Sequence, residues 1–361
     1  MGTPPTATTF ATLARTHWRR GELREAIAQA ERSLALHPGF VPALLVTGLC
    51  EHALGNAGAC RNAFAQLQLP DADPRVVEFV FQAIVEIVRD RRRVFAAPTA
   101  IPAAPPLSVT VVTCSVDAGK LARLRASLAN ALAPGYEHLE MFAPRSLAQA
   151  YNDALAAARG EAIVFVHDDV EILSPQLDRI LARALAHADV VGIAGTRTLA
   201  GPTLGWAGQA ALSGWLVHGS SAASTWDFSV LAFRGGLVGG MQALDGCFLA
   251  ARTTAARRIG FDATTFDGFH FYDLDFCLRA QRAGLRLAVD TDILLAHASR
   301  GRLGFAWESQ ARRFLAKFAP IGSAPARSHH FHAAALASAA EALDLHAELN
   351  GFCAAIGTRS D

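Results

Sequence analysis

Ala162-Ile-Val-Phe-Val-His-Asp-Asp169 is the strongest fold signal in this 361-residue chain. Five apolar residues, rich in β-branching and free of glycine and proline, predict a strand buried on both faces. The run then stops on a histidine and two aspartates. Upstream, Ser146 reads as the N-cap of a helix from Leu147 to Arg159 that Gly160 ends. Before that, Ser108-Val-Thr-Val-Val-Thr-Cys114 predicts another strand, followed by a helix from Ala118 to Leu132. Downstream, Ser174-Pro175 opens a further helix and Val190 to Ala194 predicts a third strand. Strands alternating with helices imply a parallel sheet with helices on both faces. Ligands of such sheets bind beyond the strand C-termini, which is where His167-Asp168-Asp169 falls.

Composition bounds what the rest can be. Hydrophobic residues make up 52% and charged residues 18%, which excludes disorder over most of the chain. Basic and acidic residues number 33 and 32, for a net charge of +1, so neither nucleic acid nor an anionic membrane is expected as a partner through bulk charge. No secretory pattern precedes Phe10, and the longest uncharged stretch, Thr198 to Trp226, is too broken by glycine, proline and polar residues to span a membrane. Six cysteines form no CxxC pair, so buried thiols and a cytoplasmic location are expected.

The N-terminal region has its own period. Ala14, Gly21, Ala26, Ala30 and Ser33 return 34 residues later as Gly48, Gly55, Cys60, Phe64 and Leu67. Small residues where helices cross, with a glycine in each turn, predict stacked helix pairs over residues 8–95, similar to tetratricopeptide repeats or an ordinary helical hairpin array. Such pairs leave a face for a protein partner. Proline and alanine over residues 96–107 predict an extended linker, residues 108–318 form the α/β domain, and residues 319–361 read as a loose segment and a C-terminal helix from Ala333 to Ile356. That helix either closes a hydrophobic face or pairs two subunits in a homodimer.

Two successive aspartates facing a crevice repel unless a cation lies between them. Their role is either a plain turn or a divalent-ion site, with imidazole better tolerated by Mn2+ than by Mg2+. A second acidic cluster follows in Phe266-Asp-Gly-Phe-His-Phe-Tyr-Asp-Leu-Asp275, whose end opens a helix to Ala283. There Asp275 and Arg279 form an (i, i+4) pair. Asp273, in the first turn, is either a cap or a base that the helix dipole keeps ionised. His297 follows an apolar run and could equally be ordinary structure. Trp206 and Trp215 sit in the uncharged stretch, which reads as an acceptor loop, core packing or a dimer contact.

These motifs, in order, are Ser146-Leu-Ala-Gln-Ala-Tyr-Asn152, His167-Asp-Asp-Val170, Leu244-Asp-Gly-Cys-Phe-Leu249, Asp267-Gly-Phe-His-Phe-Tyr-Asp-Leu-Asp275 and His297. Together they resemble the family 2 glycosyltransferases of GT-A fold, and among them a bacterial branch, over roughly residues 107–300. The resemblance implies an inverting enzyme that moves a sugar from a nucleotide-sugar donor to an acceptor hydroxyl on a protein or glycan. It implies Asp273 as catalytic base. It places Asp169, with His167 and His297, at a Mn2+ or Mg2+ ion, and Asp168 with the donor diphosphate. It assigns Thr113, Asp117, Asn152, Asp245 and Gly246 to donor binding. Two positions depart from the family: His167 replaces the usual first acidic residue or Asn, and Tyr272 replaces the acidic residue before the base. Those departures leave an inactive scaffold as the alternative. A nucleotidyltransferase would need a glycine-rich basic loop that Cys114 to Gly119 lacks.

Overall fold

The computed structural model describes residues 5–67, 74–90, 93–95, 105–201, 212–222, 225–299, 304–319, 321 and 332–360. The chain divides into two compact units, Met1–Thr99 with Leu343–Arg359 and Ala100–Ala342 with Ser360–Asp361.

The first unit is helical. Its helices are α1 (Ala7–Arg19), α2 (Leu23–Leu36), α3 (Val41–Ala53), α4 (Ala57–Ala65) and α5 (Pro74–Arg89). The starts of α1 and α3, and of α2 and α4, are 34 residues apart, as the period predicts. Gly21 and Gly55 turn each pair at positive φ, 76° and 83°, a backbone that other residues adopt only with strain. Ala14, Ala26, Ala30 and Cys60 are fully buried, so small residues do line the helix crossings.

The second unit carries two sheets. Its elements are β1 (Val109–Ser115), α6 (Ala118–Ala131), β2 (Glu137–Phe142), α7 (Leu147–Ala157), β3 (Ala162–His167), β4 (Val170–Ile172), α8 (Leu177–His187), β5 (Val190–Gly192), β6 (Ala194–Thr196), β7 (Leu212–Ser220), β8 (Thr225–Val230), β9 (Gly235–Gly239), β10 (Ala243–Leu244), β11 (Phe248–Arg252), α9 (Thr253–Ile259), α10 (Tyr272–Arg282), β12 (Leu287–Asp290), β13 (Leu295–His297), α11 (Phe305–Phe318) and β14 (His332–Leu336). The last helix, α12 (Ala339–Ala355), passes into the first unit at Leu343. In the main sheet, strands run in the order β9-β12-β5-β11-β3-β1-β2. Alternate residues of β3 face opposite cores: Ile163 and Phe165 pack with α7, α9, α10 and α11, whereas Val164 and Val166 pack with α6 and α8. Helices therefore cover both faces, as the alternation requires.

Three expectations need correction, and one open reading is narrowed. The sheet is mixed, not mostly parallel. β1 pairs parallel with β2 and β3, but β11 is antiparallel to both β3 and β5, because it enters from the end at which β3 stops. The single strand expected over Val190–Ala194 is two, β5 and β6, which part at Ile193 into different sheets. The uncharged stretch, open between an acceptor loop, core packing and a dimer contact, is irregular at residues 198–201 and then enters strands β7 and β8. β7 and β8 form an antiparallel pair in the second sheet, β10-β6-β7-β13-β4, with β14 on β8. Trp215 and Trp226 are buried there, and the Trp215 indole donates to Ala232 O at 2.9 Å, so core packing accounts for both; Trp206 lies outside the described residues. Finally, Ala333 to Leu336 is strand, not helix: its alternate buried and exposed residues have the strand period. From Leu343 on, α12 belongs to the helical unit, where Phe352 packs edge-on against Phe64 and Phe95.

Candidate active site

The parallel register sets Cys114 of β1 opposite His167 of β3, so the two strands end together. One residue further, Ser115 Oγ donates to Asp168 Oδ2 at 2.7 Å. Because β11 runs antiparallel, the turn Asp245-Gly246-Cys247 arrives at this same edge, and the His167 main-chain N–H donates to Cys247 O at 3.1 Å. β13 is antiparallel to β4 with His297 opposite Val170, and the Ala298 N–H donates to Asp169 O at 2.9 Å. His297 Nε2 thus lies 3.2 Å from Asp169 Oδ1. His167, Asp169 and His297 each offer a ligand atom, all within 4.8 Å of one another. Lys120 Nζ, from the first turn of α6, is 3.9 Å from both Asp168 Oδ1 and Asp169 Oδ2.

α10 delivers the other half. Its N-cap, Phe271, has φ of 62°, left-handed backbone that costs energy in a bulky residue. Trp307 and Phe314, each 5.3 Å away between ring centroids, hold it in place. The first turn then presents Tyr272 and Asp273 to the β10–β11 turn. Asp273 Oδ2 accepts the Gly246 N–H at 3.0 Å, while the Tyr272 hydroxyl donates to Gly246 O at 3.0 Å and lies 2.8 Å from His167 Nε2. A Cβ on Gly246 would come within 2.4 Å of that hydroxyl and 2.8 Å of the Asp273 carboxylate, so only glycine fits. Asp275 is committed to structure. It is fully buried and paired with Arg279 at 2.8 Å and with Lys317 of α11.

The electrostatics are uneven across this small space. Burial, and then the nearby Asp245 charge, push the Asp273 carboxyl up to about 7. The dipole was expected to keep it ionised; desolvation outweighs that effect. For Asp169 burial acts the same way, but the His297 hydrogen bond and charge prevail and hold it well below the usual carboxylate range. Burial and the His297 charge push the His167 imidazole down to about 4, so it is neutral. Burial also opposes protonation of His297, yet Asp169 raises it. Two imidazoles and one carboxylate make a donor set that suits a first-row divalent ion such as Mn2+ better than the oxygen-seeking Mg2+.

Residues 110–313, more than half of the chain, match the glycosyltransferase-like family. The chain belongs to that family. A curated relative from Fuscovulum blasticum, called ATP synthase subunits region ORF 6, is 29% identical over 161 residues, covering 42% of this chain and 56% of the relative, so little more than half of the relative's length is spanned. Among solved structures, A197 from STIV is 14% identical, over 56% of this chain and 91% of its own, with a TM-score of 0.34. The mannosyltransferase PcManGT from Pyrobaculum calidifontis, in complex with GDP-Man and Mn2+, is 15% identical over 87% and 84% of the two chains, with a TM-score of 0.37. GalNAc-T7 with UDP, GalNAc and Mn2+ is 10% identical over 58% and 48%, also with a TM-score of 0.37.

Within this glycosyltransferase-like domain, Asp168, Asp169, His167, His297, Asp245, Gly246 and Asp273 come together at one sheet edge. Three further residues expected at the donor make contacts within the fold. Thr113 is fully buried within β1, with Oγ1 3.1 Å from His138 Nε2. Asp117 caps α6, accepting from Gly119 N at 2.8 Å and Lys120 N at 3.0 Å. The Asn152 amide brackets the Phe261 main chain, donating to its O and accepting from its N–H, both at 2.8 Å. Conversely, Lys120 and Tyr272 join the site although the sequence motifs assign neither a role there. Lys120 had a signal, being one of two lysines in the chain and lying just past the first strand. No helix among the described residues is long and apolar enough to cross a membrane.

Proposed function

We propose that the protein is an inverting, metal-dependent glycosyltransferase that takes a nucleotide-sugar donor and an acceptor hydroxyl. The observation that carries this is a partly buried carboxyl poised near 7, Asp273, tied through the Gly246 turn to the strand ends that carry a His-Asp-His donor set. A general base works best when its pKa is close to the working pH, because it is then ionised often enough and still basic enough. Asp273 would take the acceptor's hydroxyl proton as that oxygen bonds to the anomeric carbon. The bond from that carbon to the diphosphate breaks on the opposite side, and its electron pair leaves with the diphosphate. A divalent ion on His167, Asp169 and His297 would supply positive charge for the leaving group. Lys120 adds a second positive charge within reach of Asp168 and Asp169. Asp245, whose Oδ1 accepts the Cys247 N–H at 2.9 Å, holds the turn between base and ion. The helical repeats would bind a protein, either the acceptor or a partner.

The test is binding and product stereochemistry. Calorimetry with a panel of nucleotide sugars, with and without Mn2+, should find one nucleotide class that binds more tightly with the ion. Proton NMR of the first product formed should show the anomeric configuration inverted. Retention would exclude Asp273 as the base, and absence of binding by every nucleotide sugar would favour a scaffold.

A further inference from the structure

We propose that Tyr272 is a positioning residue that fixes which ring nitrogen His167 offers to a cation, so the two side chains act as one pair. The inference rests on the reading of His167, Asp169 and His297 as an ion site. Its basis is a count of protons. The Tyr272 hydroxyl carries one proton and faces two groups that lack a hydroxyl of their own, Gly246 O at 3.0 Å and His167 Nε2 at 2.8 Å. The Tyr151 hydroxyl, which has its own proton, also interacts with it. A carbonyl oxygen only accepts, so the hydroxyl proton goes to Gly246. The contact with His167 is then a hydrogen bond only if Nε2 carries the imidazole proton and donates it. That leaves the lone pair on Nδ1, the nitrogen free to bind an ion. In metal sites the hydrogen bond at one ring nitrogen sets the other as the ligand, and Tyr272 supplies that bond here.

The tyrosine is well placed to hold this geometry. It is buried in the first turn of α10, with its ring edge-on to Tyr151 at 5.5 Å and tilted against Phe261 at 6.3 Å. Tyr272 also grips Gly246 O while its neighbour Asp273 grips Gly246 N, so one glycine links the ion side of the site to the base side. The two departures from the family pattern thus become a single device. A histidine at the first position needs its tautomer set, and a tyrosine before the base sets it. An ionised carboxylate has no proton to donate to Gly246 O, so the usual acidic residue in its charged form could not make both contacts.

Three measurements on the full chain test the pair. Proton–nitrogen NMR correlation of His167 without added metal should show the proton on Nε2 in the native protein and a mixture in Tyr272→Phe. Mn2+ affinity, read from the electron paramagnetic resonance signal of free Mn2+ with no nucleotide present, should fall about 10-fold in Tyr272→Phe. In His167→Ala the same change at Tyr272 should then have no further effect. Proton on Nδ1 in the native protein, unchanged Mn2+ affinity in Tyr272→Phe, or additive losses in the double variant would overturn the pair. Native protein that binds no Mn2+ would instead sink the ion reading beneath it, while the tautomer measurement still reports on the two side chains themselves. A Tyr272→Phe protein that fails to fold leaves the native tautomer to decide.

Discussion

Asp273 Oδ2 accepts the main-chain N–H of Gly246 at 3.0 Å, which ties the first turn of α10 to the turn that opens β11. This bond needs the glycine, because a Cβ there would fall 2.4 Å from the Tyr272 hydroxyl and 2.8 Å from the carboxylate itself. Gly246→Ala should therefore push α10 away from the turn. We expect a loss of roughly 1–3 kcal/mol in unfolding free energy, typical of forcing one carbon into a packed site. Transfer activity should fall by more than stability does, since both the base and Tyr272 move. A variant with native melting and native turnover would contradict the packing described.

Asp273→Asn keeps the acceptor for Gly246 but cannot take a proton. Turnover should drop by about 10²–10⁴ with donor binding retained, as steady-state rates and calorimetry would show. Stability should move the other way. A carboxyl raised to about 7 in the folded chain, from an ordinary value of 3.8, favours folding while protonated. That advantage disappears as pH rises through about 7, because the buried group must then ionise. Above pH 7 the asparagine variant should thus melt higher than the native chain, by at least ~2–4 °C if the effect is worth ~1 kcal/mol. Equal melting temperatures at pH 8 would mean that Asp273 is not desolvated as drawn.

The same group sets the pH profile. Since the ionised form is the base, kcat/KM should rise with pH and level off above about 7. Asp245 contributes to that elevation through like-charge repulsion, second to burial. Asp245→Asn, which can still accept the Cys247 N–H, should shift the acidic limb to lower pH without abolishing it. A limb that stays in place would assign the titration to another group.

How far this site was legible follows from where each residue sits. The strand Ala162–Val166 and its terminal acids were readable because a buried run and a strand end leave a local pattern. So were the helix starting at Tyr272 and the Asp275–Arg279 pair, which depend only on helical spacing. The direction of β11 was not readable. It depends on which end of β3 the Asp245 turn approaches, a tertiary fact with no local signature. Asn152 shows the same limit from the other side: its motif is local, but its amide is spent on Phe261, 109 positions away. Tyr272 looked like a loss because its partners, His167 and Gly246, are distant in sequence. The raised pKa of Asp273 is not legible, because helix position is visible in a sequence, whereas desolvation by a neighbouring turn is not.

Glu348 provides a test of the helical unit. The carboxylate is 2% exposed and accepts the Val94 N–H at 3.2 Å and the Phe95 N–H at 2.9 Å. Burial raises its pKa, and the two backbone donors partly offset that. Around it, Phe352 meets Phe95 at 5.4 Å and Phe64 at 6.0 Å, and Phe64 meets Phe95 at 5.7 Å. The C-terminal helix thus completes a core that the sequence period alone assigned to residues 8–95. Glu348→Ala leaves two buried N–H groups without their acceptor, at about 1–3 kcal/mol each. Hydrogen exchange in the full-length chain should accelerate across α3, α4 and α5, while β1, β3 and β11 keep their protection and donor binding is unchanged. Glu348→Gln, which can still accept through its amide oxygen, should lie between the two. Unaltered exchange in α3 and α4 of the alanine variant would show that the helical repeats hold together without the C-terminal helix.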